Sequence, residues 1–290
     1  MNYPYLSSMR KIDLHTHTTA SDGIYTPRGL IDLARQNGLI ALAITDHDTV
    51  DGLPEAMEYA SSVGFRVFPG VEFSIEYDTG SFHLIGFNLD FKNQRLRNTV
   101  RELAEHRGAR AYRIIDDLKK HGIDLPVEEV LAAAAGGAMG RPHVARVMVN
   151  HGYAPTIRDI FQKYLVKGKP GYVKKVRIEF EDAVSVIKES GGIPVIAHPV
   201  SLECADLGEF ESLLKGFVAA GVEGLEAYAS MHTPEMAAEY LALAKKYGLL
   251  VTGGSDFHGD KDETIGNYNK DCPVPFELLD ALDAYIAKKG

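Results

Sequence analysis

Short apolar runs alternate with helical patterns along most of this chain: KIDLH (11–15), IALAITDH (40–47), RVFPGVEFS (66–74), FHLIGFNL (82–89), IPVIAHP (193–199), GLEAY (224–228) and LLVTGGSDFH (249–258). Between most of them lie TPRGLIDLARQNG, DGLPEAMEYASSVG, FEDAVSVIKESGG, DLGEFESLLKGFVAAG and TPEMAAEYLALAKKYG, several opening at Thr-Pro or Asp and closing at Gly. That punctuation marks helix starts and stops. Repeated strand–helix units build a parallel sheet covered by helices, so a parallel α/β barrel is the expected fold. FHLIGFNL is expected to run antiparallel or irregular. From about Gln94 to Lys169 the rhythm fails: a long charged helical pattern leads to PVEEVLAAAAGG, RPHVARVMVNHG and TIRDIFQKYL, with no convincing strand. We read an inserted helical subdomain over 97–167, with the barrel on 1–96 and 168–290. Ordinary barrel-covering helices are the alternative, and there are too many here for one crossover.

With 290 residues, 45% hydrophobic and 24% charged, the chain can bury a full core. No apolar run approaches the roughly 20 residues that span a bilayer, and MNYPYLSSMRK lacks the apolar core of a signal peptide. A cytoplasmic location without a membrane partner is therefore expected. Cys204 and Cys272 are the only cysteines and form no CxxC, so any metal must sit on histidine and carboxylate. The net charge of -9 argues against a grip on long duplex nucleic acid, while a local basic pocket could still hold one phosphorylated end. The expected partner is small.

In DLHTHTTASDG, residues two apart on a strand share a face, so His15 and His17 can reach one ion. From that fragment alone, a metal pair and a solvent-facing strand end fit equally. The other runs decide between them. His47 ends the second, Glu72 the third, His83 starts the fourth, His198 ends the fifth, and Asp256 with His258 ends the last. Strand C-terminal ends form the active face of α/β barrels, so these distant positions can converge. A metal-free barrel enzyme with one histidine base is the alternative. Six histidines and the carboxylates Asp22, Glu72 and Asp256 are too many for one ion and suit two or three divalent ions. Mixed nitrogen and oxygen donors favour manganese, zinc or iron over calcium; Mn2+ is the first choice, with Zn2+, Fe2+ or Mg2+ as alternatives. Such ions would leave the cavity positive, suited to a phosphate dianion, and would acidify water and steady both oxygens of a phosphoryl displacement. Phosphoester hydrolysis is the implied chemistry.

At DLHTHTTASDG, ITDHDT, GVEFS, FHLIGF, IAHP and GGSDFHG the chain resembles the polymerase and histidinol phosphatase (PHP) family. The resemblance implies a distorted seven-stranded, TIM-like (β/α) barrel with a trinuclear metal centre. By position it implies that His15, His17, Glu72 and Asp256 hold one ion, Asp22, His47 and His258 a second, and Glu72, His83 and His198 a third, with Glu72 bridging. GRPHVARVMVNHGY and FQKYLVKGKPGYV resemble the stand-alone bacterial branch similar to nucleoside 3',5'-bisphosphate phosphatases and 5'-to-3' exoribonucleases. The expected substrate is thus a small phosphorylated nucleotide or a short oligonucleotide. A non-nucleotide phosphomonoester such as histidinol phosphate, or a non-catalytic phospholigand-binding role, are the alternatives.

Arg141 is the candidate phosphate fork or a helix cap, and His143 a second phosphate contact and proton donor or a packing residue. Lys169, with Lys167, adds charge at the mouth or belongs to a solvated loop. Tyr172 and Tyr228 could stack a base but are read first as packing. Asp46 is a candidate to orient an imidazole, Asp48 a turn former, and the glycines of GGSDFHG a means for backbone to approach the metals. His106, His121, His151 and His232 match no ligand position, the first two reading as exposed or cap-like.

Overall fold

The computed structural model describes residues 10–134, 139–261 and 263–289. The reading of the N-terminal residues 1–9 and the end of the alanine-rich helical pattern, 135–138, lie outside them. The chain runs β1 (Lys11–Thr16), α1 (Pro27–Gln36), β2 (Leu39–Ile44), α2 (Leu53–Val63), β3 (Arg66–Ile75), β4 (Phe82–Phe87), α3 (Gln94–Lys120), α4 (Val127–Ala133), α5 (Arg141–Asn150) and α6 (Ile157–Ile160). A π-helical turn (Phe161–Leu165) leads on to α7 (Phe180–Glu189), β5 (Ile193–Ile196), α8 (Leu207–Ala220), β6 (Gly224–Tyr228), α9 (Pro234–Tyr247), β7 (Leu250–Gly253), β8 (Asn267–Asn269), β9 (Cys272–Pro273) and α10 (Glu277–Lys289).

The helix signals act as physical caps. Thr26 and Thr233 accept hydrogen bonds from Gly29 and Met236 ahead of Pro27 and Pro234, and Gly248 closes α9 at φ 66°, a conformation costly for residues with a Cβ. β1 to β7 form one sheet in sequence order. Pairs β1–β2, β2–β3, β5–β6 and β6–β7 are parallel, while β4 is antiparallel to both neighbours. The fold is therefore α/β with a mostly parallel seven-stranded sheet, and FHLIGFNL runs antiparallel as its position suggested. The ribbon of β8 and β9 was not foreseen, its NYN strand being too short and polar to carry a period.

Alternate residues of the buried strands feed two apolar layers, as expected when both faces are covered. Leu42, Ile44, Phe73 and Leu84 pack with α1, α2, α7 and α9, whereas Ile12, Ala41, Ala43, Phe68 and Ile85 pack with Leu278 and Leu282 of α10. A third cluster joins Ile114 and Leu118 of α3 to Val130, Val144, Met148, Ile160 and Leu165. α3 straddles two cores: its first turns bury Leu96, Val100 and Leu103 against the sheet-side core and its later turns bury the third cluster. No helix of the described residues is long and apolar enough to cross a membrane.

Candidate metal centre and phosphate cleft

Glu72, fully buried on β3, stands at the centre of the strand ends. Its Oε2 lies 2.8 Å from His47 Nδ1, 3.3 Å from His15 Nε2 and 3.4 Å from His17 Nε2. Its Oε1 lies 2.9 Å from His83 Nδ1 and 3.0 Å from His198 Nε2. One carboxylate therefore touches five imidazoles. Asp256 Oδ1 sits 3.1 Å from His17 Nε2 and 3.4 Å from His15 Nε2, and Asp22 Oδ1 sits 3.3 Å from His258 Nε2. The structure thus brings all nine candidates together.

Three groups have ligand atoms all within 4.8 Å of one another: His15, His17, Glu72 and Asp256; His17, Asp22, His47 and His258; and His47, Glu72 and His83. His198 adjoins the third, its Nε2 being 3.2 Å from His83 Nδ1. His15 Nε2, His17 Nδ1, Asp22 Oδ1, His47 Nδ1 and Glu72 Oε2 are buried with no hydrogen-bond partner among the described residues. Buried polar atoms are seldom left so, and this donor set of imidazole nitrogens and carboxylate oxygens fits divalent cations.

Electrostatics favour the lone-pair forms at Glu72, His17 and His83, whereas at His15, His47, His198 and His258 burial is outweighed by the neighbouring carboxylates and the pKa is raised. Burial raises the Glu72 pKa, but His47, His83 and His15 outweigh it and hold the carboxylate well below its usual range. Burial pushes His17 down to about 3, helped by His258 and His47. Burial also takes His83 down to about 4 against the pull of Glu72. Ionised carboxylate and neutral imidazole are the forms that ligate.

The supporting shell is where the sequence reading was thinnest. Glu226, 1% exposed on β6, places Oε1 3.0 Å from His15 Nδ1 and accepts the His198 backbone N–H at 2.7 Å on Oε2. By holding His15 Nδ1 it turns Nε2 toward Glu72 and Asp256, where it is a candidate ligand atom. Asp46 is corrected: it reaches no imidazole but accepts from Thr18 N, Thr18 Oγ1 and Ser21 Oγ, holding the loop that carries Asp22. Asp48 does sit in a turn, at φ 52°, but it is also a buried ion-pair hub, 2.8 Å from both Arg107 and Lys175. The candidate ligands His198 and Asp256 adopt φ of 23° and 54°, strained backbone of the kind that clusters at functional sites. Gly254 approaches β1 rather than the cluster: a Cβ there would fall 2.3 Å from His15 Cβ.

Beside the cluster opens a cleft of about 180 Å³, lined by the candidate ligands Asp22, His47 and His83 together with Arg141, His143 and Phe161. Arg141 is the first residue of α5, and its guanidinium lies 5.4 Å from the Phe161 ring centroid. His143 accepts the Gly140 N–H on Nδ1 at 3.0 Å, so the neutral ring carries its proton on Nε2. Burial lowers its pKa against the pull of Asp22. Lys167 and Lys169 are exposed and do not border the cleft. Arg107, Arg110, Lys175 and Arg177 do, though none was singled out in the sequence.

Arg107 and Lys175 share the single carboxylate of Asp48, and Arg110, Arg141 and Arg177 pair with no carboxylate among the described residues. Burial takes Arg110 down to about 9 with help from Arg141 and Arg177, and burial together with Arg177 lowers Arg141. Three guanidiniums repelling one another in a half-buried cleft form a ready anion site. Of the remaining candidates, Tyr172 is half-buried outside the cleft border and Tyr228 packs on Tyr268. His106 is exposed, His121 caps α3, His151 pairs with Glu129 and His232 is buried against Tyr240.

The PHP-domain family model matches residues 13–181. The chain belongs to the PHP family. This PHP chain is 37% identical over 248 residues to the 5'-3' exoribonuclease Rnm of Salmonella typhimurium, covering 85% of the chain and 84% of that protein. It is 34% identical over 293 residues to the 3',5'-nucleoside bisphosphate phosphatase of Chromobacterium violaceum, covering 97% of the chain and 99% of that protein. Among solved structures, a candidate metal-dependent phosphoesterase from Bifidobacterium adolescentis superposes with a TM-score of 0.84 at 29% identity, over 96% of each chain. The PHP chain is a phosphoester hydrolase with a centre able to hold metals.

Proposed function

We propose that this hydrolase removes a terminal phosphate from small bisphosphorylated nucleotides or from the 5' ends of short oligonucleotides. The observation that carries the reading is the pairing of two sites suited to anions: the metal-competent cluster and, lining the cleft that it borders, three arginines without carboxylate partners among the described residues. A substrate with one phosphate occupies only the first. One with a second phosphate, on the same sugar or the next, satisfies both. The names of the two curated relatives support nucleotide substrates.

In this reading His15, His17, Asp22, His47, Glu72, His83, His198, Asp256 and His258 hold two or three divalent ions, manganese first, with zinc, iron(II) or magnesium as alternatives. Bound there, such ions supply Lewis acidity and acidified water. Arg141, with Arg110 and Arg177, takes the second phosphate and fixes the reacting one over the cluster. His143 offers its Nε2–H as a hydrogen bond to a phosphate oxygen, the contact role that its neutral tautomer favours, rather than a proton to the leaving oxygen. Phe161 and the guanidinium above it offer a face for the base. Residues 97–167 serve as the inserted substrate-binding subdomain, a reading supported by their separate apolar cluster. The sheet closes as a distorted barrel, supported by the bridge from Thr16 to Phe257 and the seat of Gly254 on His15. The unpaired Cys204 and Cys272 fit a reducing cytoplasm.

The test is phosphate release by manganese-loaded protein from adenosine 3',5'-bisphosphate, a 5'-phosphorylated RNA dinucleotide, histidinol phosphate and an aryl phosphate. The first two should be preferred, and Arg141→Ala should cut that preference by about 2 kcal/mol while retaining metal. Turnover of only the last two discards the nucleotide assignment, and bound metal without any turnover favours a phospholigand-binding role.

A further inference from the structure

A second concavity, of about 320 Å³, lies along the opening turns of α3. Gln94, Arg97, Asn98 and Arg101 form its helix side, and Val50 and Asp51 form the facing wall. It belongs to the same neighbourhood as the cleft. Val50 and Asp51 continue the segment that begins with the cleft residue His47, and α3 continues into the cleft residues Arg107 and Arg110.

Charge distinguishes this groove from ordinary surface. The chain has a net charge of -9, yet α3 carries six arginines between Arg95 and Arg113. Arg95 pairs with Glu189 and Arg107 with Asp48, but Arg97 and Arg101 are exposed and pair with no carboxylate among the described residues. The neutral groups are polar: Gln94 Nε2 donates to Asn98 Oδ1 at 2.9 Å and Arg101 donates to the same oxygen at 3.3 Å. Asp51 is the carboxylate on the wall. Arg97 and Arg101, four residues apart, share one face of α3 and lie about 6 Å from each other along the axis. This step is on the scale of successive phosphates in an extended single strand. No aromatic side chain borders the groove, so it suits a backbone rather than stacked bases.

We propose that this groove holds the sugar-phosphate backbone of nucleotides trailing from the cleft, with Arg101 and Arg97 meeting successive phosphates of a single-stranded oligonucleotide. The proposal rests on the nucleotide reading above and adds to it a length preference independent of base sequence.

The test uses the double variant Arg97→Glu/Arg101→Glu with fluorescein-labelled, 5'-phosphorylated RNAs of two and eight nucleotides. Binding is read by anisotropy at several salt concentrations, alongside turnover of adenosine 3',5'-bisphosphate. The octamer should bind about tenfold or more weaker, and its salt dependence should lose a slope of about 1 to 1.5. The dinucleotide and the bisphosphate should stay within about twofold of wild type. As a charge-matched control, Lys245→Glu/Lys288→Glu on α9 and α10 should leave the octamer unaffected. Unchanged octamer binding in the arginine variant, equal losses for both lengths, or equal losses in the lysine control each overturn the groove. Wild-type protein that turns over neither bisphosphate nor RNA overturns the nucleotide reading itself, a failure visible before any variant is made.

Discussion

Glu226 lies outside the candidate ligand set, yet it sets the direction of two residues within it. Its carboxylate bonds the far nitrogen of His15 and the backbone of His198. Glu226→Gln should leave the fold intact and weaken metal retention about 10- to 100-fold, the usual effect of losing a carboxylate behind a metal-binding imidazole. Competition against a chelator measures it, and retention equal to wild type would show that packing alone orients His15. The contrast with the ligands explains what could be read from sequence. His15, His47, His198 and His258 end apolar runs, where a polar residue is conspicuous. Glu226 lies inside GLEAY, and one acid in a short strand has no spacing to announce it. Arg107 and Arg110 lie on a charged helical pattern, and Lys175 and Arg177 in a loop, where cations ordinarily face water. Only the fold turns them toward the phosphate cleft.

Between elements, the seat of the β7 end on β1 is a tight constraint. The Gly254 N–H donates to the Tyr228 carbonyl at 2.8 Å, and its α-carbon leaves no room for a side chain over His15. Gly254→Ala must therefore displace β1 or the Ser255–His258 segment, both of which carry candidate ligands. The expected cost is about 1–3 kcal/mol of stability, the range for forcing extra volume into a packed site. Weaker metal retention should accompany it. Denaturant unfolding of stripped and loaded protein separates the two effects, and a variant matching wild type in both would mean that the backbone yields without cost. This contact was hidden in the sequence: the glycines of GGSDFHG suggest backbone approaching the metals, and nothing in them points to β1. The limit of the helical region was blurred for a related reason. α3 keeps its period without a break from Gln94 to Lys120, so a boundary drawn at 97 cuts a helix whose two halves serve different cores. The alternating strands were legible because each run is bounded by its own caps and turns.

Across the whole molecule, the candidate ligands come from β1, β3 and β4 and from the segments after β1, β2, β5 and β7, so the centre joins ends of the sheet that are far apart in sequence. A cation bound there is held by the folded chain and not by the unfolded one, so it stabilises folding by mass action. For one site at a hundredfold excess over its dissociation constant, the gain is about 2.7 kcal/mol. At roughly 2–4 °C per kcal/mol for larger domains, Tm should rise by about 5–10 °C when manganese is added to chelator-stripped protein. Glu72→Gln tests whether the gain comes from this centre. Glutamine keeps the volume but removes the charge shared by five imidazoles, and it should lose most of the manganese-dependent shift. Arg141→Ala, altered only on the phosphate side of the cleft, should keep the shift. If the stripped wild type melts at the same temperature with and without manganese, the cluster is held by its own hydrogen bonds; if Glu72→Gln keeps the full shift, the stabilising cation binds elsewhere.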